Sequence, residues 1–189
     1  MSDSIEFLFD FASPNAYLSY HALSRLAERT GTHFTLTPVL LGGIFKLTNN
    51  QAPMVAFRGV KGKLDYEMLE TKRFINSHGL NHFKFNPHFP INTISLMRGF
   101  IAARQIGVLS EYIESNLKAM WERERNIGDA AVMQEVWRDA GLDADALVHA
   151  IQTQEVKDEL RDSTQAAVDR GVFGVPTFFV GDEMFFGKE

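Results

Sequence analysis

Ser13 stands where a strand-like apolar run, Ile5-Glu6-Phe7-Leu8-Phe9-Asp10-Phe11, gives way to Ala12-Ser13-Pro14-Asn15 and then to residues with helical spacing. A serine at the start of a helix caps free N–H groups, and a proline just inside the helix loses nothing by lacking one. The same position allows a second chemistry. A helix N-terminus carries roughly half a positive charge, so a hydroxyl placed there helps to stabilise an anion such as a thiolate. On these residues alone, capping and anion activation are both open for Ser13. The second candidate is Gly174-Val175-Pro176-Thr177, where a proline directly precedes an apolar strand. Only X–Pro bonds reach the cis form at appreciable frequency. A cis bond before Pro176 would turn the backbone N–H and C=O of Val175 toward a peptide-like ligand; a trans proline heading an edge strand is the plainer alternative.

Any thiol chemistry here must use a borrowed thiol, because the chain has no cysteine. Disulfide exchange and thiolate-held metals are thereby excluded. The six histidines show no HExxH spacing, and His78 and His82 are separated by Gly79, so no metal site is expected. A net charge of -5 with no basic cluster argues against nucleic-acid binding. No run approaches the roughly eighteen apolar residues of a membrane span, and Met1 to Glu6 lack a leader pattern, so a cytoplasmic protein away from membranes is expected.

The elements that must position Ser13 and Val175 follow from periodicity. Ile5 to Phe11 predicts a central strand. A helix begins at Pro14 and ends at Gly31, and His33 to Val39 predicts a second strand, giving a right-handed βαβ unit. From Leu41 to about Gly171 the period is helical. Candidates are Val60 to Ser77, Ile91 to Gln105, Ser110 to Arg125, Ala130 to Ala140, Asp143 to Ala150 and Gln154 to Arg170. Thr177 to Val180 and Met184 to Phe186 then predict a hairpin about Gly181-Asp182. The expected class is α/β, with residues 1–40 and 172–189 forming one unit and residues 41–171 a helical insertion. Most of the 16 phenylalanines must be core, and some can line an aromatic pocket.

Taken together, the βαβ start, the helical block and the Val175-Pro176-Thr177 opening of a hairpin resemble the thioredoxin superfamily and its DsbA-like branch. Redox members start the first helix with C-x-x-C, and here that place reads Ser13-Pro14-Asn15-Ala16. Redox activity is therefore expected to be absent. The runs F-D-F-A-S-P-N-A-Y-L, N-P-H-F-P-I-N-T (Asn86 to Thr93) and F-G-V-P-T-F-F-V-G-D-E-M-F-F-G (Phe173 to Gly187) resemble kappa-class glutathione transferases and the bacterial 2-hydroxychromene-2-carboxylate isomerases over nearly the whole chain. The resemblance implies glutathione as cofactor. It implies that Ser13 donates to the glutathione sulfur, that Val175 before Pro176 pairs with the cysteinyl backbone, and that Asn50 and Lys63 (with Lys61 as a rival alignment) hold the glycyl carboxylate. In the family a G-x-D segment meets the γ-glutamyl ammonium and opens a final helix. Here Gly187-Lys188-Glu189 places Glu189 at the aspartate position without the helix, which leaves open a native protein continuing beyond it.

Two reactions fit that resemblance. An isomerase adds the thiolate reversibly to a conjugated carbon of an aromatic keto acid, with His88 and Asn92 as candidates to hold that substrate and Arg98 its carboxylate; packing or capping roles are the alternatives for all three. A transferase conjugates an electrophile with the same thiolate. The isomerase is the favoured reading, and a cysteine-free binding module is a third. A homodimer is implied by the family.

Overall fold

The computed structural model describes residues 4–188. Strand β1 (Ile5–Phe9) leads into helix α1 (Pro14–Thr30) and strand β2 (Phe34–Pro38). Ser13 caps α1, and Gly31 closes it in the left-handed region at φ 71°, its N–H bonded to Ala27 O at 2.8 Å. Helices α2 (Leu41–Thr48), α3 (Pro53–Ala56), α4 (Lys63–His78), α5 (Ile94–Gln105), α6 (Leu109–Trp121), α7 (Ala130–Asp139), α8 (Ala144–Ala150) and α9 (Gln154–Asp169) follow. Strands β3 (Thr177–Val180) and β4 (Glu183–Phe186) end the sheet, whose order is β2-β1-β3-β4.

β1 pairs in parallel with β2, from Ile5 opposite Phe34 to Phe9 opposite Pro38. It pairs antiparallel with β3, and β3 and β4 make the expected hairpin. The fold is the expected α/β, thioredoxin-like arrangement, with helices between the βαβ and ββ parts. β1 ends at Phe9, two residues early, because Asp10 is 0% exposed and its carboxylate bonds outside the ladder. α4 begins at Lys63 because Gly62 turns the chain at φ 78°. α5 begins at Ile94, where the Asn92 side chain accepts the Ile94 N–H at 3.0 Å. No candidate covered α2, whose Gly42-Gly43 reads as a loop.

One continuous core joins the sheet to the helices. Phe9 sits edge-on to Phe7 and Phe11 and reaches Tyr20 of α1 and Phe100 of α5; Phe11 reaches Tyr112 of α6. The two buried indoles are satisfied, Trp121 donating to Phe11 O at 3.0 Å and Trp137 to Asn116 Oδ1 at 3.2 Å. By contrast Met184, Phe185 and Phe186 of β4 are exposed. Among the described residues no helix is long and apolar enough to cross a membrane.

α5 and α6 pack closely enough that Gly99 has no room for a side chain. A Cβ there would overlap the Tyr112 hydroxyl and lie 2.8 Å from its Cζ, while that hydroxyl donates to Leu96 O at 2.8 Å inside the core. Gly99→Ala is expected to lower unfolding free energy by about 2 kcal/mol in chemical denaturation through overpacking. A loss below about 0.5 kcal/mol would mean that the α5–α6 contact relaxes freely.

Candidate functional site

The turn between β1 and α1 sets Ser13 against the segment that precedes β3. Its N–H bonds to Asp10 O at 3.2 Å, and its hydroxyl oxygen accepts the Ala16 N–H at 3.1 Å. The same hydroxyl donates to Val175 O at 2.9 Å across 162 residues of sequence. Ser13 is thus a cap and, at once, the partner of the segment before β3. At the end of the 17-residue helix α1, Pro14 has no N–H and the Asn15 N–H has no protein acceptor among the described residues. A partial positive charge and one open donor therefore sit beside the hydroxyl of a serine that is 4% exposed.

The Val175–Pro176 bond is cis. The Val175 carbonyl is occupied by Ser13, whereas its N–H has no protein acceptor among the described residues. Pro176 O accepts the Gly187 N–H at 3.0 Å, and Thr177 Oγ1 donates to Gly174 O at 2.8 Å. Asn50, just past α2, donates through Nδ2 to Phe173 O at 2.8 Å and accepts the Gln51 N–H at 2.8 Å. The 173–176 segment is therefore stitched to Ser13 on one side and Asn50 on the other. Ser13, Asn50, Val175 and Pro176 come together in this way.

The contacts of the other candidates are with different residues. Lys63 opens α4, its ammonium 3.1 Å from Glu67 and 5.2 Å from the Phe57 ring centre. His88 and Asn92 line an open cleft of about 420 Å³ with Pro90, Ile91, Asn126 and Asp129, beside a cis Phe89–Pro90 bond. Arg98, on α5, does not line that cleft; its Nε is buried without a hydrogen-bond partner. Glu189 lies outside the described residues. The ring of His78 takes the Phe74 carbonyl and the Ser77 hydroxyl as partners, each at 3.0 Å.

Asp10 was not among the candidates. Its Oδ1 accepts the Ala12 N–H at 2.9 Å and the Thr93 hydroxyl at 2.7 Å, and its Oδ2 accepts the Leu41 N–H at 2.7 Å. Burial pushes the carboxyl up from the ordinary carboxylate range, partly offset by the donors from Ala12, Leu41 and Thr93. Asp10 three residues before Ser13 was the signal available in the sequence; its remote partners were not. One turn along α1, Tyr17 donates to Glu122 Oε1 at 2.9 Å, and burial with that acidic neighbour raises its phenol above the usual range.

A family model for the DSBA-like thioredoxin domain matches residues 4–189. A 2-hydroxychromene-2-carboxylate isomerase of Pseudomonas putida is 29% identical over 187 residues, covering 98% of this chain and 89% of its own. Glutathione S-transferase kappa 1 of Rattus norvegicus is 28% identical over 179 residues, covering 92% and 79%. The solved structure of a 2-hydroxychromene-2-carboxylate isomerase superposes with a TM-score of 0.82 at 28% identity, over 98% of this chain and 89% of that one. A probable DsbA oxidoreductase from Streptomyces coelicolor superposes at 0.75 over 98% and 84%, and its 18% identity speaks to the fold alone.

Ser13→Ala removes a cap and a buried cross-chain bond together. It is expected to cost about 1–2 kcal/mol in unfolding free energy, measured by denaturant titration, with the fold retained by circular dichroism. A neutral effect would mean that neither bond contributes in solution.

Proposed function

This chain belongs to the DSBA-like thioredoxin domain family, and from that premise we propose that it is a glutathione-dependent isomerase of the 2-hydroxychromene-2-carboxylate type. The observation that carries the reading is a serine hydroxyl at the N-terminus of α1, facing Val175 O at 2.9 Å, in a chain without cysteine. The residues present fit a glutathione cysteinyl unit. The unpaired N–H groups of Val175 and Asn15 need acceptors, and the Ser13 hydroxyl can redirect its proton from the Val175 carbonyl to a sulfur anion.

Bound here, glutathione would supply a nucleophilic sulfur for reversible addition to a conjugated carbon of an aromatic keto acid, the chemistry of a cis–trans isomerisation. Ser13 and the α1 terminus hold the sulfur in its charged form, since donation to an anion and the helix dipole both favour it. As Ser13 turns, the Val175 carbonyl is released to accept an N–H, while the Val175 N–H donates, in strand-like pairing. Asn50 keeps one amide hydrogen beyond its bond to Phe173 O for the glycyl carboxylate, and Lys63 supplies a cation to the same end, leaving Glu67 to do so. His88 and Asn92 hold the aromatic acid in the cleft they line; Arg98 does not line that cleft and is not given the carboxylate in this reading. A homodimer is part of the reading, supported by the exposed Leu47, Val55 and Val60. A kappa-type transferase is the second reading, supported by the kappa 1 relative.

Thiolate absorbance of the glutathione complex, followed across pH, is expected to appear at least one pH unit below the roughly 8.5 of a free thiol. Ser13→Ala is expected to abolish that shift. Turnover of a 2-hydroxychromene-2-carboxylate without loss of free glutathione supports the isomerase; stoichiometric loss into a conjugate with an electrophile supports the transferase. No thiolate at saturating glutathione would overturn both.

A further inference from the structure

We infer that Asp10 is a positioning residue that fixes Ser13 relative to the cleft of His88 and Asn92, through one carboxylate shared by three chain segments. This inference rests on the proposed role of Ser13. A carboxylate placed where water is excluded must be met by donors, because an unpaired charge there is prohibitively costly. Its three donors come from three separate chain segments. Ala12 belongs to the β1–α1 turn, Leu41 is the first residue of α2, and Thr93 is the residue before α5.

Two of the donors, Thr93 and Leu41, stand at helix starts that lack a side-chain cap of their own. Thr93 stands where a threonine ordinarily caps its own helix, yet it makes no cap bond; its hydroxyl goes to Asp10, and Asn92 takes the Ile94 N–H instead. α2 likewise has no side-chain cap of its own, since Leu40 precedes it, and the Leu41 N–H is met by Asp10 Oδ2. The carboxylate thus caps α2 from another part of the chain and faces the positive end of that helix.

The consequence for the site is geometric. Asp10 O accepts the Ser13 N–H at 3.2 Å, so the backbone of Asp10 holds the turn that presents the hydroxyl. Its side chain holds the turn at Ala12 and grips Thr93, whose neighbour Asn92 lines the cleft. Thiolate donor and substrate wall are therefore pinned to the same residue, from opposite ends of its backbone and side chain. An asparagine keeps the size but presents an N–H to a site built only of donors, so at least one of the three bonds must be lost.

Asp10→Asn and Thr93→Val test this, read in two ways. In the ligand-free protein, hydrogen exchange of the Ala16 amide, which Ser13 O and Ser13 Oγ share at 3.0 and 3.1 Å, is expected to accelerate at least tenfold in both variants beyond any change in core amides such as Phe7, because both acceptors belong to the residue that Asp10 positions. In the glutathione complex, the thiol pKa is expected to rise by about one unit, a roughly tenfold loss of thiolate at low pH, with the double variant no worse than Asp10→Asn alone. Unchanged Ala16 exchange and thiol pKa in a folded Thr93→Val protein, with only a lower melting temperature, would overturn the inference and leave Asp10 as scaffold. If Asp10→Asn does not fold, Thr93→Val decides alone. If the wild type forms no thiolate, the glutathione reading fails, and the exchange of Ala16 still decides whether Asp10 positions Ser13.

Discussion

A carboxylate shut away from water has to find its hydrogen-bond donors wherever the chain can bring them, and at Asp10 this constraint organises the junction between sheet and helices. The residue leaves β1 one position after the last ladder pair, so that strand, turn and two helix starts converge on two oxygens. Leu40 adds a parallel bond, its N–H accepted by Thr164 Oγ1 of α9 at 2.9 Å. The start of α2 is therefore held by side chains from β1's end and from α9 in place of a cap of its own. Removing any one of these donors would leave a buried charge short of partners, which costs far more than the bond contributes on average.

Around that junction, Ser13 caps α1 and also bonds across the chain to Val175. Capping and presenting a hydroxyl are compatible uses of one oxygen. The lone pair takes the Ala16 N–H and the proton goes to the Val175 carbonyl; in the proposed reading that proton is the one redirected to a bound sulfur anion. The Val175 carbonyl acts as a placeholder that keeps the buried hydroxyl satisfied.

Local signals carried much of this in the sequence. Ser13, Pro14 and Gly31 bracket α1 because caps and left-handed stops are decided within a few residues, and the apolar run Thr177 to Val180 fits its strand for the same reason. α2 stayed hidden because Gly42-Gly43 is a loop signal locally. Gly43 is there because α9 crosses it, a Cβ being only 3.2 Å from the Thr164 methyl. The role of Asp10 was illegible because two of its three partners, Leu41 and Thr93, lie 31 and 83 residues away. Arg98 shows the converse. Its type suggested a ligand carboxylate, but nothing in the sequence indicated that its Nε would be buried without a protein partner.

The central claim is that the Ser13 proton leaves the Val175 carbonyl for a bound thiolate. A crystal structure of the protein with glutathione tests it most directly. The account predicts the sulfur within hydrogen-bond reach of Ser13 Oγ, the Ser13–Val175 bond broken, and both backbone groups of Val175 paired with the cysteinyl unit. Glutathione bound with the Ser13–Val175 bond intact, and its sulfur turned away from the α1 terminus, would contradict it.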